Sequence, residues 1–358
     1  MTELAAILIR RIAAAGPMTL ADYMAECLLH PDHGYYATRD PFGAGGDFTT
    51  APEISQMFGE LLGLCLAQAW MDQGSPAPFT LAEPGPGRGT LMADVLRATR
   101  GVPGFHAAAQ VVLIEASPTL RQVQRDTLKG HPVTWADSIA DLPDAPLFLI
   151  ANEFFDALPI RQFTRRGQGW AETVVGLDPR PDGPRLTLGR SAPTPLALLM
   201  HRLADTAEGG VVEVCPSAAP IMAAIGGRIA AHGGAAIVID YGDWRSRGDT
   251  FQALMDHRFV DPLAAPGEAD LTAHVDFEAL AQAAAPARAT RLIPQGALLQ
   301  RLGIDGRAER LARGLTGDAL QSHLAAHRRL TDAAEMGSLF KALAIYPPSS
   351  LPPPGFDA

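Results

Sequence analysis

The chain has 358 residues, 47 % of them apolar and 19 % charged, which allows one large or two ordinary domains and excludes a largely disordered or collagen-like chain. A formal net charge of −10 argues against a general nucleic-acid binder, which would be basic, and suits a cationic substrate or partner. No apolar run reaches the ~20 residues of a membrane span; the nearest, residues 54–70, is interrupted by Gln56, Glu60 and Gln68. The opening MTELAAILIRRIAAAG lacks a basic start and carries Glu3, unlike a secretory signal. The expected location is therefore the bacterial cytoplasm, or the mitochondrial matrix for a eukaryotic source. Cys27, Cys65 and Cys215 lie far apart, and His30, His33, His257 and His274 have no metal-like spacing, so neither a disulfide framework nor a metal site is expected.

In chain order, Thr2 and Gly16 bracket a helical pattern, and Thr19 caps a second one through Leu29. Residues 30–51 are irregular and rich in Gly, Asp and aromatics. Pro52 opens a long helix to about Gln73, closed by Gly74. From residue 79 short apolar runs alternate with helices. FTLAE (79–83), VVLIE (111–115), PVTWAD (132–137), LFLIAN (147–152) and GAAIVID (234–240) read as five strands. Thr90–Thr99 and a Ser117-Pro118 start mark the helices between them. Continuous Val/Ile/Leu strands separated by helices predict an α/β fold, a mostly parallel sheet covered on both faces. Residues 160–190 break the rhythm and read as inserted antiparallel strands, followed by a helical piece to about Ala204. Residues 241–270 are irregular. Short strands near 271–275 and 289–293 precede a helical tail over 294–345, and PPSSLPPPGFDA is expected to fray. The expected domains are a helical extension over 1–75 and a core over 76–350 with the insert at 160–210.

The strongest chemical signal is Glu83-Pro-Gly-Pro-Gly-Arg-Gly-Thr90, directly between a strand and a helix. Gly85, Gly87 and Gly89 permit tight backbone turns and close approach to a ligand. The helix start behind them offers free N–H groups. The spacing is GxGxG rather than GxGxxG, and an acid, Glu83, ends the strand. That acid suits a ligand with a cationic amino-acid end, such as S-adenosylmethionine (SAM), better than a pyrophosphate. Glu115 ends the second strand, where a bidentate carboxylate can accept both hydroxyls of a ribose; it can equally be an ordinary helix-start acid. Asp137 and Ser138 end the third strand on the adenine side, or form a simple capping pair. Asn152, Glu153 and Asp156 follow the fourth strand, together with Phe154 and Phe155. Two carboxylates there can orient an amine or guanidinium and take its proton. Asp240-Tyr-Gly242 ends the fifth strand on the substrate side. The segment Gly46–Ser55 combines a loop with a helix start that can fold over the cofactor; by itself it is only a capped helix.

Five segments carry a resemblance: GDFTTAPEISQMFGELLG (46–63), EPGPGRGTLMADVLR (83–97), ANEFFDALP (151–159), GGAAIVIDYG (233–242) and DHRFVDPLAAPGEADLTAHVDF (256–277). Together they resemble the MidA-type methyltransferases, whose mitochondrial member is a respiratory complex I assembly factor. The likeness implies a class I, Rossmann-like SAM-dependent methyltransferase core. It implies symmetric dimethylation of an arginine in the large hydrophilic core subunit of complex I. By position it assigns Glu83, Gly85, Gly87, Gly89, Glu115 and Asp137 to the SAM pocket, with Asp47, Thr50, Pro52 and Ser55 close by. Asn152, Glu153 and Asp156 would form the transfer site. Pro84 departs from the pattern, which has an aliphatic residue there, and is expected only to reshape the loop slightly. The competing expectations are methyl transfer to another amine or a carboxylate, and a non-catalytic SAM-binding assembly chaperone.

Overall fold

The computed structural model describes residues 1–38 and 50–358. Its contacts divide the chain into two units. One combines the described part of Met1–Phe48 with Asp156–Ala218 and Arg245–Asp276; the other combines the described part of Thr49–Phe155 with Ala219–Trp244 and Phe277–Ala358. This division differs from the boundary expected at residue 75. The helices after residue 50 pack on the sheet that follows them, while the first two helices pack on the inserted strands.

The larger unit is built on six strands: β1 (Phe79–Pro84), β2 (Ala109–Ile114), β3 (Val133–Ala136), β4 (Leu147–Asn152), β5 (Gly234–Asp243) and β6 (Phe340–Tyr346). Their order across the sheet is β6-β5-β4-β1-β2-β3. The first five are parallel, and β6 runs antiparallel to β5. β1 and β4 are neighbours although β2 and β3 fold out to the other side of β1. Their carboxyl ends therefore meet at the reversal of strand order, where open α/β sheets form a ligand crevice.

Four helices matter for this crevice: α1 (Ala51–Ile54), α2 (Gln56–Asp72), α3 (Thr90–Thr99) and α4 (Pro118–Thr127). The single helix expected from Pro52 to Gln73 is interrupted at Ser55, whose backbone is extended (φ −161°) and whose hydroxyl caps α2 through Met57 N–H. The apolar face of α2 is buried against α3. Gly63 permits the close approach, because a Cβ there would stand 2.9 Å from the Val95 Cα.

Two expectations for the C-terminal part fail. Helices cover Gln295–Arg301, Ile304–Ala312, Gly317–Thr331 and Met336–Leu339, but FKALAIY is the strand β6. Its alanines favour a helix, yet the run is nearly continuous in apolar residues and fills the β5 edge, so burial overrides propensity. The terminal segment is also anchored. Phe356 is buried in the main core, the Arg291 N–H donates to the Asp357 carbonyl, and Arg301 pairs with the Asp357 carboxylate.

In the smaller unit, Met18–Thr19, Gly169–Asp178, Arg161–Arg166 and Val211–Val214 form an antiparallel sheet, with Arg185–Arg190 added beside Gly169–Asp178. Helices Glu3–Ala15 and Leu20–Leu29 cover it through Leu4, Leu8, Tyr23 and Met24. Thr2 and Thr19 cap these helices as expected, accepting from Ala5 N–H and Asp22 N–H. The stretch expected to be irregular after residue 240 contains a further sheet of Gln252–Met255, Arg258–Val260 and Asp270–Thr272.

Candidate functional site

β1 delivers Glu83 and Pro84 to the crevice. Its parallel register with β4 ends at Ala82, and Pro84 has no N–H with which to extend it. Beyond it Gly85, Gly87 and Gly89 all take positive φ (59°, 51° and 83°), which glycine adopts without a Cβ penalty. Gly85 donates to the Ile114 carbonyl at 2.9 Å, tying the loop to the end of β2. A Cβ at Gly85 would meet the Phe154 ring at 3.0 Å, so the loop and the turn after β4 are packed together. Gly89 caps α3, and the Thr90 hydroxyl donates to Glu53 of α1 at 2.5 Å.

Glu83 is only 4 % exposed. Burial pushes its carboxyl well above the ordinary carboxylate range, and the Met92 backbone N–H pulls in the opposite direction. Its Oε2 is buried and has no hydrogen-bond partner among the described residues. Glu115, at the end of β2, is also raised by burial, while the Ser117 N–H (2.7 Å to Oε1) and the Gln124 amide (3.2 Å to Oε2) favour its charged form.

At the end of β4, Asn152 is buried and its Nδ2 donates to Glu153 Oε1 at 3.1 Å. Asn152 Oδ1 has no partner among the described residues. Glu153 is a non-glycine residue with φ of 50°, a conformation that carries strain. Its N–H donates to the Ile239 carbonyl, and its Oε1 accepts the Ala51 N–H at 3.2 Å. Asp240, at the end of β5, is fully buried and accepts the N–H groups of Phe154 (3.2 Å) and Phe155 (3.0 Å) on one oxygen and of Tyr241 (3.0 Å) on the other. It thereby fixes the turn that carries Glu153.

The larger unit thus brings Glu83, the glycines, Glu115, Asn152 and Glu153 to the carboxyl ends of its strands. Other expected site residues are placed differently. Asp156 belongs to the smaller unit, where it is buried and its carbonyl accepts from Ala273 N–H. Asp137 is 86 % exposed and paired with Arg121 at 2.5 Å. Ser138 forms a capping box with Asp141, not with Asp137. Thr50 and Pro52 are buried at the start of α1, and Ser55 serves as the α2 cap. Asp47 lies outside the described residues.

Residues 61–295 match the family described as "Putative S-adenosyl-L-methionine-dependent methyltransferase". The chain is 38 % identical to the human protein arginine methyltransferase NDUFAF7, mitochondrial, over 95 % of this chain and 82 % of that one. It is equally similar to the Xenopus tropicalis protein of that name, at 38 % over 96 % and 86 %. The chain belongs to this methyltransferase family. A Burkholderia thailandensis protein crystallised with S-adenosyl-homocysteine superimposes with a TM-score of 0.80 at 31 % identity, covering 99 % of this chain and 92 % of that one. The family is therefore SAM-dependent, its core Rossmann-like, and the chain an enzyme of that class.

The residues present fit this cofactor. A buried, unpartnered carboxyl oxygen on Glu83 is costly unless a donor arrives, and a ligand ammonium is such a donor. The glycine loop leaves no side chain between backbone and ligand, and Glu115 keeps lone pairs for a diol. Sequence reasoning missed two polar residues here and the holding role of a third. Glu53 sat unremarked inside a motif, Gln124 inside an amphipathic helix, and Asp240 was noted only as lining. Polar residues at otherwise core positions were the available signal. No helix among the described residues is long and apolar enough to cross a membrane.

Proposed function

We propose that this enzyme methylates an arginine side chain of a protein substrate, with symmetric dimethylation of a respiratory complex I core subunit during assembly as its task. The observation that carries the reading is the Asn152–Glu153 pair at the end of β4, packed through Phe154 against the glycine loop. The names of the relatives, protein arginine methyltransferases, support the arginine acceptor. The location that goes with it is the bacterial cytoplasm, or the mitochondrial matrix in a eukaryote.

SAM supplies a methyl group already activated on a sulfonium. Glu83 would hold its ammonium, Glu115 its ribose hydroxyls, and Gly85, Gly87 and Gly89 would let the backbone approach it. Thr50, Pro52 and Ser55 would border the pocket; Asp137 and Ser138 would do so on the adenine side. Much of the rate then comes from holding donor and acceptor in line. A guanidinium is protonated and a poor nucleophile in water. The Glu153 carboxylate would draw its charge toward the non-attacking nitrogens and Asn152 Oδ1 would accept an N–H. Glu153 or a relayed water would take the proton late.

The test is transfer of labelled methyl from SAM to the purified hydrophilic complex I subunit, followed by amino-acid analysis. Symmetric dimethylarginine is expected. Glu153→Gln should leave SAM affinity near normal and lower turnover at least about tenfold. Label on another residue type would move the assignment to a different acceptor. SAM binding without transfer would leave a chaperone.

A further inference from the structure

Gln124 is a glutamine with no exposed surface, in the middle of α4. Its amide is engaged by three other parts of the larger unit. Its Nε2 donates to the Gly87 carbonyl at 2.7 Å and to Glu115 Oε2 at 3.2 Å. Its Oε1 accepts the Trp135 indole N–H from β3 at 2.8 Å. The indole nitrogen can only donate, so it fixes which end of the amide is oxygen and commits both amide hydrogens to the loop carbonyl and the carboxylate. The Gln124 Cγ also lies 3.5 Å from where a Gly89 Cβ would stand. One side chain therefore spans the glycine loop, the acid at the end of β2, and β3.

We propose that Gln124 is a positioning residue for the nucleoside half of the cofactor, locking the Glu115 carboxylate and the Gly87 peptide into one arrangement. This rests on the reading of Glu115 as the ribose acid. The chemistry is specific. Glu115 Oε1 is held by the Ser117 N–H, so Oε2 is the oxygen whose direction depends on Gln124. With that oxygen fixed, the remaining lone pairs of the carboxylate face one way and meet a diol without reorganisation. With the Gly87 carbonyl drawn toward α4, the loop peptides are held in a single orientation. Removing the amide leaves a buried carboxylate oxygen, a buried carbonyl and an indole N–H each short of a partner.

The test is calorimetric binding of S-adenosyl-homocysteine and of 5′-methylthioadenosine, which keeps the nucleoside and lacks the amino-acid end. Proteins are the wild type, Gln124→Met, Gln124→Glu, Glu115→Gln and the Gln124→Met/Glu115→Gln double variant. Gln124→Met, similar in size, should weaken both ligands by about tenfold. Gln124→Glu keeps the Trp135 contact but sets a carboxylate against Glu115, and should weaken them at least as much. In the Glu115→Gln background, Gln124→Met should cost less than about threefold, because the group it positions is gone. A merely structural role would give equal losses in both backgrounds, and that result overturns the proposal. So does unchanged binding by Gln124→Met and Gln124→Glu. Failure of the wild type to bind either ligand would remove the cofactor reading itself, and the proposal with it.

Discussion

Glu83→Gln separates the cofactor role of Glu83 from its cost to the fold. In the folded protein the carboxyl is buried beside one backbone donor, so its pKa lies well above the usual value of 4.5. The unfolded chain loses that proton near 4.5, and the folded chain holds it to higher pH. Folded protein thus binds more protons than unfolded protein across this window. The stability this group contributes is fully present below about 4.5 and is lost as pH rises toward the folded pKa. The slope is about 1.4 kcal/mol per pH unit while the window lasts. Glutamine is nearly the same shape and cannot ionise, so the difference in melting temperature between variant and wild type should grow in favour of the variant from pH 5 upward. Ligand binding should change the other way. Pairing with an ammonium requires the charged carboxylate, so wild type should release a proton on binding S-adenosyl-homocysteine at any pH where the free protein still holds it. Calorimetry in two buffers of different ionisation enthalpy reads that proton, and Glu83→Gln should release none. The lost charge-assisted bond is worth about 1.5–3 kcal/mol, or roughly 10- to 150-fold in Kd. Buffer-independent heats together with a Kd unchanged within about twofold would refute the reasoning.

Gly85→Ala forces a side chain into φ of 59° and against Phe154; a cost of about 1–2 kcal/mol from the backbone alone should appear as a lower melting temperature and weaker S-adenosyl-homocysteine binding. Asp240→Ala leaves the Phe154 and Phe155 N–H groups without their acceptor. It should cut methyl transfer at least about tenfold while cofactor affinity changes less than about threefold, as measured by turnover beside calorimetry. Removing residues 352–358 exposes the pocket that Phe356 fills and breaks the Arg301–Asp357 pair. About 3 kcal/mol should be lost in urea unfolding, by analogy with Phe→Ala in a core.

The sheet and its ligand end were legible because most of the parallel strands are nearly continuous apolar runs with a polar residue at or just past the end. Glu83, Glu115 and Asn152 mark three such ends. The glycine spacing then stated which end of the sheet meets a ligand. β6 was not legible, since FKALAIY satisfies a buried helix as well as a buried strand until its neighbour β5 is known. The grouping of the first two helices with the inserted strands depends on contacts far apart in sequence, such as the Ile160 N–H with Met24 Sδ and the pairing of Met18 with Val175. Periodicity carries no information about these. Gln124 and Asp240 escaped for a related reason. Most of their partners lie on other elements, and only the assembled sheet reveals what a buried amide or carboxylate is holding.

The position of β6 in the sheet has a consequence for synthesis on the ribosome. β5 pairs with β4 on one side and with β6 on the other, and β6 lies about a hundred residues further along the chain. While those residues are being made, the emerging polypeptide carries a hydrophobic strand with one open edge, a template for pairing with other nascent chains. At roughly 5–20 residues per second the exposure lasts on the order of 5–20 seconds. The helices between Gln295 and Leu339 appear before β6 does, and substitutions that weaken them should lower the yield of soluble protein more than they lower the stability of molecules that finish folding.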